Sequence, residues 1–404
     1  MPEQTPLQTG WDMTEPRPAL RAFLGTLPAE PQLLALGEPT HGVDAFPAWR
    51  NRIFRILVED HGFRSIAIES DIVAGLRVNA HVTSGQETLD EIMQTGFSHG
   101  FGSYPANREL VEWMREFNVG RERADHLHFY GFDAPLEWWA PSPRASLLAL
   151  HAFLTAHLGS LPVDTSTLER LCGTEARWTN QAAVMDAAQS IGDSGEARQL
   201  RLLADDLSTT LRTATPGLAA RPAFWEARLH ARTAVGLLRY HALLADPAPT
   251  RLERGSALRD LMMADNLSAI AEREQKRGPT LVFAHNVHLQ RNLSTMKLGS
   301  MSLKWWSAGA HVSTRFGNRY AFIASHLGTA PEKAIGEPAP DTLEGALINP
   351  ARPATLFISR ELTAALPEQL ATRTDIPLQA GYFPLEVKHL HLTDGVLLVK
   401  DAAR

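Results

Sequence analysis

Short apolar runs, rich in β-branched or aromatic residues and without regular alternation, recur along the chain. Runs of this kind are typical of parallel strands that are buried on both faces. They predict strands at Gln32–Leu36, Arg64–Ile68, Leu127–Tyr130, Pro279–Phe283, Arg319–Ala324, Thr355–Ser359 and Gly395–Lys400. Helix-like sequence follows each of the first four runs. This alternation predicts an α/β fold with a central, mostly parallel sheet flanked by helices.

Residues 142–275 carry a different pattern, in which Ala, Leu, Arg and Glu recur at helical spacing with few strand-like runs. We expect a large helical insertion here, between two parts of one α/β core domain, residues 1–141 and 276–404. One helix is expected to begin at Pro222, because proline is favoured in the first turn. A break is expected at Arg254-Gly255, before a helix that begins near Ala257.

Two stretches, 293–304 and 328–347, are rich in Gly, Pro, Ser and Thr, and this composition predicts irregular loops. Paired tryptophans occur at Trp138-Trp139 and at Trp305-Trp306. Such pairs in loop-like sequence can line an apolar ligand pocket. Alternatively, the two pairs pack between the helical insertion and the core, and this role explains them equally well.

Polar residues follow the predicted strands where each strand ends. They are Glu38 and His41, Glu69 and Asp71, Asp133, and His285 and His288. If the strands are parallel, all of these residues reach the carboxyl edge of the sheet, where open α/β sheets bind ligands. A single residue in such a position is more often a helix cap, and Asp71 fits that role before the next helix. Their joint occurrence favours a site.

Arg50 lies within an apolar helical stripe. The stripe consists of Phe46, Arg50, Ile53, Phe54 and Leu57. A buried arginine needs a partner, so we expect Arg50 to meet a carboxylate, with Glu38 and Glu69 as candidates. The alternative is that its guanidinium reaches water from the edge of the stripe. Arg259 repeats the pattern beside Met263.

Composition and charge narrow the function. The chain has 404 residues, 44% hydrophobic and 21% charged, which is typical of a globular protein with one large or two ordinary domains. A net charge of −6 argues against a nucleic-acid partner or an anionic membrane surface. The N-terminus lacks the pattern of a signal peptide, and Cys172 is the only cysteine. We therefore expect a cytoplasmic protein without disulfides.

Several catalytic motifs are absent from the sequence. The chain has no G-x-S-x-G, G-x-G-x-x-G, Walker or H-E-x-x-H motif. These absences argue against an ordinary serine hydrolase and against nucleotide cofactors. His285 and His288, with Glu38 or Asp133, could form a His/carboxylate metal set. The H-x-x-H spacing alone is weak support, and one catalytic beside one structural histidine explains it as well.

A family resemblance joins these segments. LGEPTHG, Arg50, RSIAIESD, YGFDAP, RDLMMADN and VFAHNVHLQR follow one another as in the erythromycin esterase family, from about residue 30 to 325. The resemblance implies an α/β core with a helical insertion and hydrolysis of a macrolactone or similar bulky ester without a serine nucleophile. It implies a small-molecule, macrolide-like substrate and no cofactor. Family members differ over whether a metal takes part, and we expect a metal-independent enzyme here. The resemblance also implies chemistry connected with antibiotic resistance or secondary metabolism.

Carried over by motif, the resemblance implies that His41 is the general base that activates water and that Glu38 is the acid beside it. Arg50 and Glu69 would be charged partners. His285 and His288 would form the opposite side of the site. For the substrate we expect contacts from Asp71, Asp133, Arg259, Trp305 and Trp306.

Three other functions stay open at the level of the sequence. An acyl transferase or cyclising enzyme of secondary metabolism could use the same site, since His41 would serve either direction. A metal-dependent hydrolase is the second alternative. A catalytically inactive binding protein is the third, and the complete charged set of residues disfavours it.

Overall fold

The computed structural model describes residues 10–137, 139–298, 301–367 and 369–402. The strands in these ranges are β1 (Trp11–Asp12), β2 (Leu33–Glu38), β3 (Ser65–Asp71), β4 (His128–Asp133), β5 (Thr280–His285), β6 (Leu293–Leu298), β7 (Met301–Trp306), β8 (Tyr320–Thr329), β9 (Ala354–Ile358) and β10 (Gly395–Asp401). Each predicted strand is present, with bounds shifted by a few residues at most. Trp138, for which a pocket-lining role is predicted, lies outside the described residues.

Helices occupy most of the segments between these strands, and several follow one another without a strand between them. They are α1 (Pro16–Leu24), α2 (Ala45–His61), α3 (Gly75–Ser84), α4 (Leu89–Thr95), α5 (Pro105–Asn118), α6 (Arg144–Leu158), α7 (Thr165–Cys172), α8 (Gly195–Thr213), α9 (Thr215–Leu218), α10 (Phe224–Leu244), α11 (Arg251–Glu274), α12 (Asn286–Leu289), α13 (Ala308–Phe316), α14 (Leu343–Leu347) and α15 (Ser359–Ala365). No helix of the described residues is long and apolar enough to cross a bilayer.

The central sheet has eight strands in the order β1-β9-β10-β8-β2-β5-β3-β4. The six strands from β10 to β4 are mutually parallel. At one edge β9 pairs antiparallel with β10, and β1 pairs antiparallel with β9. The predicted fold class, an α/β fold with a mostly parallel sheet, is confirmed. Helices cover both faces, as parallel sheets require.

Strand β2 shows how the two faces of the sheet are filled. Leu34 and Leu36 enter an apolar cluster shared with α2 and α5. Leu33 and Ala35 enter a second cluster, shared with α11 and α13. All four side chains are buried, because successive residues of a strand point to opposite faces. This two-sided burial explains why the strand reads as a continuous apolar run.

The helical region has an apolar cluster of its own, built from α6, α7, α8 and α10. Helix α10 begins at Phe224, two residues after the predicted start at Pro222. The break predicted at Arg254-Gly255 is wrong, because α11 is continuous through both residues. The second half of α11 packs against the sheet instead, which connects the helical region to the core. The domain boundaries stay a prediction.

The prediction of an irregular loop at 293–304 is also wrong. Strands β6 and β7 pair antiparallel there, from Leu293 opposite Trp306 to Leu298 opposite Met301. Burial alternates along β7, with Leu303 and Trp305 turned inward and Trp306 outward. Composition did not reveal this amphipathic hairpin, because Ser, Thr and Lys occupy its outer face and give the stretch the composition of a loop. The loop predicted at 328–347 is irregular only in its middle part, because β8 continues to Thr329 and α14 occupies Leu343–Leu347.

Candidate active site

The parallel register brings the predicted site residues to one edge of the sheet. Glu38 and His285 are directly paired at the carboxyl ends of β2 and β5. Asp71 and Asp133 are paired at the ends of β3 and β4. A register shift between Ile68 and Asp71 interrupts the pairing at the end of β3, where Glu69 lies. Residues from four separate segments therefore meet at this edge.

His41 lies between two carboxylates. Its Nδ1 is 2.7 Å from Oε1 of Glu38, and its Nε2 is 3.7 Å from Oε1 of Glu69. Both carboxylates are buried, whereas 37% of the His41 side chain is exposed to the cleft. Burial disfavours the imidazolium, but the charge of Glu69 and the hydrogen bond with Glu38 outweigh it and raise the pKa of His41 to about 10.

Glu69 contacts most of the other polar residues of the site. Its Oε2 accepts a hydrogen bond from the backbone N–H of His285 at 2.8 Å. Its Oε1 lies 3.3 Å from Nε2 of His288 and 3.4 Å from Nη2 of Arg259. Burial opposes ionisation, but the charges of His288 and His41 hold the pKa of the Glu69 carboxyl well below its usual range. Glu69 is thus a fixed negative charge that orients its neighbours.

His288 is held on both sides of its ring. Its Nδ1 lies 2.7 Å from Oδ1 of Asp260, on α11, and its Nε2 faces Glu69. The two carboxylates overcome burial and raise the pKa of His288. Asp260 also accepts the backbone N–H of Ala308 at 3.0 Å and the indole N–H of Trp305. Asp260 was not predicted as a site residue, although it follows Arg259 directly.

His285 has a different environment and a different charge. Its Nδ1 accepts the backbone N–H of Val287 at 3.2 Å, and its Nε2 donates to the carbonyl of Gly381 at 3.1 Å. Burial and the neighbouring charge of His41 lower the pKa of His285 to about 3. Its ring packs edge-on to that of His41, with centroids 5.1 Å apart. His285 is therefore neutral and forms one side of the site.

Beside Glu69, the buried carboxylate of Asp133 forms an ion pair with Arg259, which is partly exposed to the cleft. Arg259 Nη2 is 2.5 Å from Oδ2 of Asp133, and its Nε also donates to this carboxylate at 3.1 Å. His99 Nε2 lies 3.0 Å from the same Oδ2, and its Nδ1 is 3.2 Å from Glu137. Burial opposes ionisation, but Arg259 and His99 lower the pKa of Asp133. His99 was missed, since it follows a helix rather than a strand.

Arg50 is buried as the stripe predicts, with 1% exposure, but the expected contact with a carboxylate is wrong. Its guanidinium donates to the side-chain oxygens of Asn51 and Asn107, at 2.7 and 2.8 Å. It also lies over the ring of Phe283, 5.0 Å from the centroid. Burial outweighs the nearby charge of Glu38 and lowers the pKa of Arg50 to about 9. Amide oxygens replace the expected carboxylate partner.

Asp71 and Trp306 do not line the cleft. Oδ1 of Asp71 accepts the backbone N–H groups of Val73 and Ala74, at 2.6 and 3.2 Å, in the turn before α3. Burial raises the pKa of Asp71 to about 6. Asp71 thus stabilises the turn before α3 but does not cap the helix as the alternative predicts, since the N-cap residue is Ala74. The Trp306 side chain is 55% exposed on the outer face of the hairpin.

A cleft of about 520 Å³ opens above the charged groups. Its polar floor carries His41, Glu69, Arg259, Asp260, His285 and His288. Its apolar sides are formed by Phe101, Tyr104, Met296, Trp305 and Phe383. This combination of an apolar enclosure and a few convergent polar groups is typical of small-molecule sites.

The C-terminal region completes the cleft through a short segment, residues 380–383. The carbonyl of Ala380 accepts the hydroxyl of Thr40, and the backbone N–H of Phe383 donates to Pro39 at 3.1 Å. The Phe383 ring packs edge-on to His285, with centroids 4.9 Å apart. The segment thus holds the loop that carries His41. Among the described residues, no three His, Cys, Asp or Glu side chains are placed to share a metal ion.

The fold and the site together define an α/β protein with a histidine–carboxylate cleft at the carboxyl edge of its parallel sheet. The sequence model of the erythromycin esterase family matches residues 58–397. The chain belongs to the erythromycin esterase family, as its motifs predict. The match begins after His41 and Arg50 and extends through the C-terminal region, beyond the part recognised from motifs.

Two curated relatives from Escherichia coli are similar to this chain. Erythromycin esterase type II is 25% identical over 67% of this chain and 63% of its own length. Erythromycin esterase type I is 27% identical over 76% of this chain and 73% of its own. The match to this chain therefore spans a little under two thirds of the type II enzyme.

Solved structures share the fold. A Bacillus cereus protein superposes with a TM-score of 0.71 at 17% identity, covering 98% of this chain and 94% of its own. An erythromycin esterase mutant in its open conformation gives a TM-score of 0.66 at 19% identity, covering 97% and 95%. A succinoglycan biosynthesis protein gives 0.64 at 17%, covering 98% and 94%. At these identities the likeness shows the fold alone.

Proposed function

We propose that this protein is a carboxylic ester hydrolase that opens a macrolactone or a similarly bulky ester with water activated by His41. The observation that carries the proposal is the Glu38–His41 pair, separated by 2.7 Å, with the His41 ring exposed to an apolar-sided cleft. Family membership supports the ester as the bond that is broken, since the curated relatives are named erythromycin esterases.

His41 supplies the base. Glu38 holds its Nδ1–H, so Nε2, which lies 3.7 Å from Oε1 of Glu69, is the nitrogen that accepts a proton from water once the ring is neutral. The hydroxide oxygen forms a bond to the ester carbonyl carbon, and the C–O bond to the ring oxygen then breaks. His41 returns the proton to the departing alkoxide. The product is a hydroxy acid, heavier than the lactone by one water.

The developing oxyanion needs a positive neighbour. Arg259 and His288 line the same cleft, and Glu69 between them fixes their orientation at 3.4 and 3.3 Å. Preorganised donors of this kind lower the barrier because they require no rearrangement as charge develops. Loss of one such donor typically costs about 3–4 kcal/mol in the transition state.

The enclosure supports a bulky rather than a small substrate. A volume of about 520 Å³ lies in the range of drug-sized ligand pockets. The side chains of Met296 and Trp305, from the hairpin, line the cleft together with Phe101 and Phe383. They offer apolar surface to the ring of a macrolide while the ester faces the polar floor.

The proposal is tested by incubating the protein with 14- and 16-membered macrolides and with simple aryl esters in water enriched in ¹⁸O. We expect a macrolide product heavier by one water, with one ¹⁸O in the new carboxylate. A product of unchanged composition would indicate cyclisation or rearrangement, and a product that contains an added alcohol or amine would indicate acyl transfer. Either product would contradict hydrolysis.

A further inference from the structure

A second concave region lies in the helical layer, between α8, α10 and α11. Three adjoining surface depressions of about 390, 270 and 400 Å³ lie there, and Arg239 lines all three. We call this region the arginine groove. It shares no lining residue with the catalytic cleft, although α11 contributes to both.

Arginines dominate the lining of the groove. They are Arg198, Arg201, Arg212, Arg232, Arg239 and Arg254. The acidic lining residues are Asp205, Asp246 and Asp265, and Asp265 is already paired with Arg315 outside the groove. The groove is therefore locally positive in a chain of net charge −6. A concave surface of one sign concentrates ions of the opposite sign.

Three of these arginines lack partners of their own. The side chains of Arg201, Arg212 and Arg239 are exposed and form no ion pair or hydrogen bond with any residue that the structure describes. By contrast, Arg198 is paired with Asp193 at 2.7 Å and Arg254 with Asp246 at 2.5 Å. The unpaired guanidinium groups keep their donors available for a ligand.

Arg232 adds an independent observation, because its guanidinium is partly withdrawn from water. Its Nε makes only a long contact, 3.5 Å, to Oδ1 of Asn266. Its Nη2 is shielded from solvent and has no hydrogen-bond partner among the described residues. A shielded, unpaired cationic group is costly. An oxyanion in the groove would supply the partner that Arg232 lacks.

The spacing of the arginines sets the shape of the ligand. Arg232 and Arg239 are seven residues apart on α10, and Arg201 and Arg212 are eleven apart on α8. Both spacings return to the same helical face, with Cα separations of roughly 10 and 16 Å. Positive charge therefore lines the groove on both α8 and α10. It extends over a length greater than the width of a single phosphate.

We propose that the arginine groove binds a small molecule with at least two oxyanionic groups, either phosphates or carboxylates. The planar guanidinium matches both groups in a two-pronged hydrogen bond. Val235, Leu238 and Leu258 would contact the part of the ligand between the anionic groups. This inference is independent of the esterase proposal, because the two clefts share no lining residue.

The test is calorimetric titration of the full chain with tripolyphosphate and, separately, with citrate, at an ionic strength fixed by sodium chloride. We expect saturable binding of at least one compound. The compound that binds with the higher affinity identifies phosphate or carboxylate as the natural group. Arg239→Met and Arg232→Met should each weaken binding by about tenfold or more, as expected for a charge-assisted hydrogen bond. Arg170→Met, which removes an exposed arginine on α7, should change it less than about twofold.

Circular dichroism checks that each variant is folded, and Arg239→Met is the safer variant because its side chain is exposed. Arg232→Met should leave the unfolding temperature unchanged or raise it, since the shielded charge has no partner to lose. Absence of saturable binding of both compounds would overturn the proposal. An equal loss of affinity in Arg170→Met would also overturn it, because binding would then follow net charge alone.

Discussion

The Nδ1 atom of His41 lies 2.7 Å from Oε1 of Glu38, a residue only three positions earlier in the chain. The turn after β2 therefore builds the base and its orienting carboxylate in one local unit. Glu38 leaves the Nε2 of His41 as the nitrogen available to accept a proton. The remaining charged residues of the site arrive from distant segments.

Removal of the His41 ring should abolish hydrolysis. His41→Ala is expected to lower kcat by about 10²–10⁴-fold, the range typical for loss of a positioned general base. The measurement is the initial rate of lactone opening with purified protein. His391→Ala, which removes an exposed histidine outside the cleft, is the control and should keep full activity. Comparable rates for His41→Ala and the unmodified protein would show that another group is the base.

Activity should rise with pH, because only neutral His41 can accept a proton from water. Its raised pKa, about 10, places the rising limb of kcat/KM in the alkaline range. Glu69 stabilises the imidazolium, so Glu69→Gln should lower the pKa of His41 and move that limb to lower pH. The measurement is the pH at the midpoint of the kcat/KM profile, which is compared between the variants even where their rates differ.

Glu116→Gln, which neutralises an exposed carboxylate on α5, provides the control and should leave the midpoint in place. A midpoint that moves to higher pH in Glu69→Gln would contradict the assignment of this limb to His41.

The Asp133–Arg259 pair should matter for stability. Asp133→Ala removes the main partner of the Arg259 guanidinium, which keeps Glu69 at 3.4 Å and is partly exposed to the cleft, so we expect a loss of about 1.5–3 kcal/mol, typical of a hydrogen bond to a charged group. The lowered pKa of Asp133 means that this contribution is present at neutral pH and is lost as the pH falls below about 4. Urea unfolding at pH 7 gives the free energy of unfolding for comparison.

Asp193→Ala removes one partner of the exposed Asp193–Arg198 pair, of similar length, and serves as the control. It should change the free energy of unfolding by less than about 1 kcal/mol. Equal effects of Asp133→Ala and Asp193→Ala would refute a special role for the Asp133–Arg259 pair.

The two adjacent tryptophans of β7 should differ sharply. Trp305 is buried, lines the cleft and donates its indole N–H to Asp260, whereas Trp306 is exposed. Trp305→Phe loses the hydrogen bond, and we expect a higher KM and a loss of about 1–3 kcal/mol in unfolding free energy. Trp306→Phe, the matched change one residue later, should leave both quantities unchanged. A higher KM for Trp306→Phe would place that side chain at the substrate.

The sequence by itself determined the strands of the parallel sheet and the positions of Glu38, His41, Glu69 and His285 at its carboxyl edge. This was possible because burial on both faces leaves a continuous apolar run. Parallel strands also end at a common edge, so the residue after each run is placed by topology alone. The buried face of α2 was equally readable from its helical period.

Only the tertiary structure decided which side chains touch. Asp260 and His99 reach the site from a helix and a loop, and no strand-end pattern marks them. Amide oxygens, rather than a carboxylate, satisfy Arg50, because α5 places Asn107 beside it. Because β7 pairs with β6 as a strand, successive side chains alternate, and Trp305 points inward while Trp306 points outward. Periodicity fixes the face of an element, but the partner across that face depends on how distant elements pack.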